Sequence, residues 1–130
     1  PISGIITKNY APSDENNIKK GERVFYTPEN ARIIDTVRAE IDKLPKNMQP
    51  FFLAPLLAES SVHTNTSGVF KGFYKSKKTG IGIYGGDGEN ALSRIKGKIK
   101  VKKPVLSNFE CDCNIFCEDA NLLAKNLNFS

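Results

Sequence analysis

The sequence predicts an α/β fold that is mainly helical, with a small sheet and a glycine- and lysine-rich loop. Three observations carry that prediction. The run "TPENARIIDTVRAEIDKL" has helix punctuation at its start and apolar residues at three- and four-residue steps. The runs "IKGKIKVK" and "FECDCNIFC" alternate apolar with mostly polar residues, the period of two expected of a half-buried strand. Finally, "IFCEDANLLAKNL" reads as a strand running into a helix, half of a β-α-β unit. With 130 residues, of which 39% are hydrophobic and 25% charged, the chain suits one globular unit with a modest core rather than a disordered segment.

Residues 1–26 are expected to form an irregular N-terminal arm, being polar and carrying Pro12 and the acidic "SDENN". Residues 27–66 are expected to form a helical pair. In the first helix Thr27 can cap the free amides, Pro28 suits the first helical position and Glu29 suits the positive end of the dipole. Ile34, Val37, Ile41 and Leu44 then make one buried stripe, leaving Arg32, Asp35, Arg38, Glu40 and Asp42 in water, and the helix should stop before Pro45. The second helix, "MQPFFLAPLLAESSVH", is apolar nearly all round, which predicts the centre of the core, with Pro55 bending it.

Residues 67–104 form a basic segment. From Lys71 to Lys103 the cations are Lys71, Lys75, Lys77, Lys78, Arg94, Lys96, Lys98, Lys100, Lys102 and Lys103, opposed only by Asp87 and Glu89, so this stretch carries +8 of a total of +5. A solvated face is the ordinary reading of a charge run. Concentration on one segment, interleaved with Phe70, Phe73, Tyr74 and Tyr84, favours a polyanion partner. Within the segment, Gly80, Gly82 and Gly85 of "TGIGIYGGDG" fit the G-x-G-x-x-G pattern of a pyrophosphate cradle. The residues in front of it, "KGFYKSKK", are cationic rather than the apolar strand such a cradle needs, so a dinucleotide-binding domain is the weaker reading. If "IKGKIKVK" is extended, Lys96, Lys98, Lys100 and Lys102 share one face at intervals of about 6.7 Å, a face that can lie along a phosphate backbone.

Residues 105–130 should supply the strand and helix. The three cysteines, Cys111, Cys113 and Cys117, lie too close together for a disulfide framework and lack a fourth ligand for zinc, so they fit the covered face of the strand and no metal site is expected. Asp119 sits where the strand gives way to the helix. There a carboxylate can act as a plain cap, or lie at the rim where open α/β sheets bind ligands. No apolar run is long enough for a bilayer, and "PISGIITKNY" is not a secretory signal, so a cytoplasmic protein is the expectation. The start at Pro1 is read as that of a processed product or an excised fragment.

Several stretches, in order, resemble one family, the Dam-like adenine-specific DNA methyltransferases of restriction-modification systems. "YTPENARIIDTVRAEI" is similar to that family's Y-F-T-x-E-N segment, and "FFLAPLLAESSVHTNTSGVFKGFYK" to its apolar helix and N-x-S-G-V turn. "NALSRI", "PVLSNFECD" and "CEDANLLAKNL" resemble the approach to its acidic cofactor motif. The family's F-x-G-x-G and D-P-P-Y motifs are both missing. The resemblance therefore implies an internal fragment of a partial Rossmann-like methyltransferase, inactive alone and with no catalytic residue of its own. It joins a DNA-facing insertion to one strand-helix edge of the cofactor domain. In the complete enzyme, the resemblance implies methyl transfer from S-adenosylmethionine to the exocyclic amine of a flipped adenine in double-stranded DNA. Asp119 would accept from the adenine end of the cofactor. Asn65, Ser67, Lys71, Tyr74, Lys75, Lys77, Lys78 and Arg94 would face DNA, with Tyr74 or Tyr84 stacking or wedging. The missing remainder of the methyltransferase is then the protein partner, and no membrane is involved. The rival from another class is a non-catalytic nucleic-acid-binding module.

Overall fold

The computed structural model describes residues 1–66, 72–108 and 115–126. Among the described residues five helices follow one another: α1 (Ile5–Tyr10), α2 (Pro28–Asp42), α3 (Gln49–Val62), α4 (Leu92–Lys96) and α5 (Ala120–Asn126), with a 3-10 turn at Gly86–Gly88. α2 begins as its sequence dictates. The Thr27 hydroxyl accepts from the Asn30 amide at 3.2 Å, Pro28 opens the helix and Glu29 occupies the first turn. α2 is the central element, packing against both α1 and α3.

α1 corrects the expectation of an irregular arm. Six residues are too few to hold a helix alone, and the stabilising partner comes from α2. The Asp35 carboxylate accepts from the amides of Gly4, Ile6 and Thr7 at 2.9, 3.0 and 2.8 Å and from the Thr7 hydroxyl at 2.6 Å. Those amides are the orphan donors of the helix start. Asp35, expected in water, is therefore buried.

Two small cores meet at the segment Val24–Tyr26. One gathers Ala11, Tyr26, Ala31, Ile34 and Ile99; the other gathers Val24, Tyr84 and Ile95. Edge-to-face rings Tyr10–Phe25 and Phe25–Phe73, with centroids 5.6 and 5.1 Å apart, tie the arm to the basic segment. α3 is not the core centre its composition predicts. Its buried residues are Gln49, Leu56 and Ser60, while Phe51 and Leu57 are 45% and 66% exposed.

Among the described residues there is no strand, only an isolated antiparallel bridge between Lys75 and Gly82. The expected small sheet is thus not found there, and residues 109–114 of the cysteine-bearing run lie outside the described residues. Two buried asparagines do the work a neighbouring strand would do. The Asn30 side chain donates to Gly97 O at 2.8 Å and accepts from Ile99 N at 2.9 Å. Carbonyl i and amide i+2 share an edge only in an extended chain, so Asn30 mimics a strand partner for "GKI". The expected extended face of Lys96, Lys98, Lys100 and Lys102 is corrected here: Ile95 and Lys96 close α4, Ile99 is buried on the chain that follows, and Val101 is 40% exposed. No helix among the described residues is long and apolar enough to cross a membrane.

Candidate nucleic-acid interface

The basic segment is organised around a short hairpin. The Ser76 amide donates to Ile81 O at 2.9 Å and the Ile83 amide to Tyr74 O at 3.1 Å, flanking the Lys75–Gly82 bridge. Gly80, with φ 69°, takes the left-handed conformation that lets its amide close the turn onto Ser76 O at 2.9 Å. The Lys77 amide is tied to Asp87 Oδ2 at 2.8 Å. The exposed ammonium groups of Lys77 and Lys78 are therefore carried on a turn with defined backbone bonds.

The glycine pattern finds its explanation here. A Cβ on Gly82 would lie 2.3 Å from Val24 Cγ2 and 2.9 Å from Phe73 Cε2, so a side chain is excluded by the core beneath. Gly80, Gly85 and Gly86 all have positive φ. The glycines serve turn closure and close packing, and among the described residues no strand leads into them.

The residues expected to face DNA divide into groups. Asn65 is fully buried. Its side-chain amide donates to Val24 O at 2.7 Å and Ile83 O at 3.1 Å, its side-chain oxygen accepts from Gly85 N at 3.0 Å, and its backbone amide donates to Phe25 O at 2.8 Å. Asn65 thus pins the outgoing arm of the hairpin to Val24–Phe25. Arg94 donates to Val62 O, and to Thr64 O at 3.0 Å, so its guanidinium covers the carboxyl end of α3. Its own carbonyl accepts from Nδ1 of His63 at 2.7 Å, which assigns the proton to that nitrogen. Tyr74 is half-buried under Gly86, and the Lys75 ammonium sits 5.1 Å from the Phe73 ring centroid. Ser67 and Lys71 lie outside the described residues.

Tyr84 corrects the expectation of a wedge. It is buried, its hydroxyl donates to Tyr26 O at 3.1 Å, and burial, aided by Glu15 and Glu22, pushes its phenol well above the usual value. Asp119 is exposed and caps α5, its Oδ1 accepting from Asn121 N at 2.9 Å and Leu122 N at 3.1 Å. Among the described residues no group of three His, Cys, Asp or Glu side chains is placed to hold a metal.

Sequence reasoning missed the acidic partners of the basic run. Lys98 pairs with Glu29 at 2.6 Å and Lys102 with Glu59 at 2.8 Å, both across elements far apart in sequence, so no local spacing announces them. The Lys102 ammonium in turn holds the Glu59 carboxyl below its ordinary range.

Comparison with known proteins adds a likeness. The chain is 32% identical over 85 residues to the type II methyltransferase M.CviAII of Paramecium bursaria Chlorella virus 1, and 31% identical over 86 residues to the modification methylase LlaI of Lactococcus lactis subsp. lactis. The chain is similar to modification methyltransferases. The similarity covers 62% and 58% of this chain, which spans about a quarter of the first enzyme (24%) and about a seventh of the second (14%). No family model and no solved structure matches the chain.

Proposed function

We propose that this chain is the DNA-facing part of a methyltransferase that moves a methyl group from S-adenosylmethionine to the exocyclic amine of adenine in double-stranded DNA. The observation that carries the proposal is the lysine-tipped hairpin, in a chain that resembles two modification methyltransferases. Lys75, Lys77 and Lys78 meet the phosphate backbone, and Tyr74 supports the hairpin from beneath. Ser67 and Lys71 join them through the resemblance alone. Asn65 and Arg94 hold the platform. Contacts of this kind repay the few kcal/mol, on the order of one stacking step, needed to extrude a base.

The residues present fit the cofactor at one end. Asp119 is exposed and its Oδ1 makes the α5 cap, so the other carboxylate oxygen is the one proposed to accept an amine. The cofactor, when bound, supplies the activated methyl group; this chain contributes an acceptor for its adenine end. The remainder of the enzyme supplies the glycine-rich cradle and the site for the flipped base.

Fluorescence anisotropy with a labelled duplex tests the proposal. Binding should weaken steeply with salt, and replacing Lys75, Lys77 and Lys78 together by alanine should lower affinity while the melting temperature stays unchanged. An affinity indifferent to salt would remove the reading.

A further inference from the structure

The cations of the basic segment are not equivalent in the folded chain. Arg94 is committed to backbone carbonyls, and Lys75 and Lys96 lie over the rings of Phe73 and Tyr84. Lys98, Lys100 and Lys102 form a separate set on the segment that leaves α4. Asn30 holds its beginning extended, Ile99 turns inward and is 3% exposed, and the three lysines are exposed. The two outer ones are paired, Lys98 with Glu29 at the start of α2 and Lys102 with Glu59 near the end of α3. Between them Lys100 is exposed. Each pair borders a surface groove that carries one more cation. Glu29 and Lys98 line a groove of about 340 Å³ with Arg32, and Glu59 and Lys102 line one of about 490 Å³ with Lys103.

Two carboxylates, each from a different helix, thus pair with the first and last of three exposed lysines that stand at alternate positions along the chain. A carboxylate and a phosphate diester present the same thing to a lysine: one negative charge spread over acceptor oxygens. We infer that Lys98, Lys100 and Lys102 form a second track for a DNA phosphate backbone, which Glu29 and Glu59 cover in the free protein as stand-in anions and which the duplex uncovers by displacing them. The inference rests on the proposed DNA-binding reading. It adds contacts outside the hairpin and an internal competitor that lowers affinity for DNA. Exchange is inexpensive at the Lys98–Glu29 pair, whose side chains are 61% and 62% exposed, because exposed ion pairs contribute little to stability; at the other pair only Lys102 is exposed, and each phosphate neutralised there releases condensed counterions.

The test measures affinity and its salt dependence for a labelled duplex of roughly 20 base pairs. Glu29→Gln and Glu59→Gln should each raise affinity about two- to fivefold, since the competing pair is removed. Lys100→Ala should lower affinity and reduce the slope of log K against log salt by about 0.9, one phosphate contact. Glu40→Gln, at the other end of α2, removes an acid that is likewise paired with a lysine, Lys43 at 2.7 Å, and controls for net charge. The inference is overturned if Glu40→Gln raises affinity as much as the other two, or if Lys100→Ala leaves the slope unchanged. Melting curves of every variant separate a lost contact from a damaged fold. A wild-type chain that binds no duplex overturns the DNA-binding reading and this inference together. A wild type that binds, and responds only to the hairpin lysines, overturns this inference alone.

Discussion

The Asp35 carboxylate accepts the Thr7 hydroxyl at 2.6 Å, joining the middle of α2 to the first turn of α1. Burial alone would push this carboxyl upward, but the Thr7 hydroxyl and the amides of Thr7, Ile6 and Gly4 outweigh it and hold the group below its ordinary value. A lowered acid contributes stability above its unfolded-state value, about 3.9, and loses that contribution as pH falls through the folded-state value. Asp35→Ala should cost about 1.5–3 kcal/mol at neutral pH. Urea denaturation across acid pH should show the wild type losing more stability than Asp35→Asn does, and parallel curves would contradict this account.

Asn65 must be an amide because it meets both kinds of partner. Its nitrogen serves two carbonyls, Val24 O and Ile83 O, while its oxygen serves the Gly85 amide. Asn65→Ala leaves these buried groups unpaired, at a cost of about 2–3 kcal/mol. Asn65→Asp should be no better, since a carboxylate would face two carbonyl oxygens. Thermal melting followed by circular dichroism checks both substitutions, and an aspartate variant as stable as wild type would sink the assignment.

Gly82→Ala should destabilise by about 1–3 kcal/mol, the usual range for overpacking, because the new methyl would meet Val24 Cγ2 at 2.3 Å. Shortening the obstacle tests the cause. In a Val24→Ala background the same substitution should cost less, and a full cost in both backgrounds would point away from that contact.

Arg94→Ala separates structure from DNA contact. The guanidinium covers carbonyls at the end of α3, so its loss should lower the melting temperature while leaving the salt dependence of duplex binding nearly intact. Arg94→Lys keeps the charge but not the forked geometry and should rescue stability only in part. A salt slope reduced by about one, with unchanged melting, would return Arg94 to the set of phosphate contacts.

Much of the helical framework was legible because its signals are local. Thr27, Pro28 and Glu29 announced the start of α2, and the stripe through Ile34 and Ile41 announced its buried side. The apolar composition of α3 misled, since hydrophobicity measures the preference for burial and not which neighbours are there to provide it. The glycine pattern was ambiguous for the same reason. Gly80 answers to its own turn, but Gly82 answers to Val24, far back in the chain.

Sequence by itself determined where α2 begins, and that positive charge collects between Lys71 and Lys103, because capping and charge are properties of neighbouring residues. Only the tertiary structure decided which lysines are free, that Tyr84 is buried and not a wedge, and that Asn30, Asp35 and Asn65 hold the backbone together. The reason is that a polar side chain's role is set by the partner it meets, and folding brings those partners from elements distant along the chain.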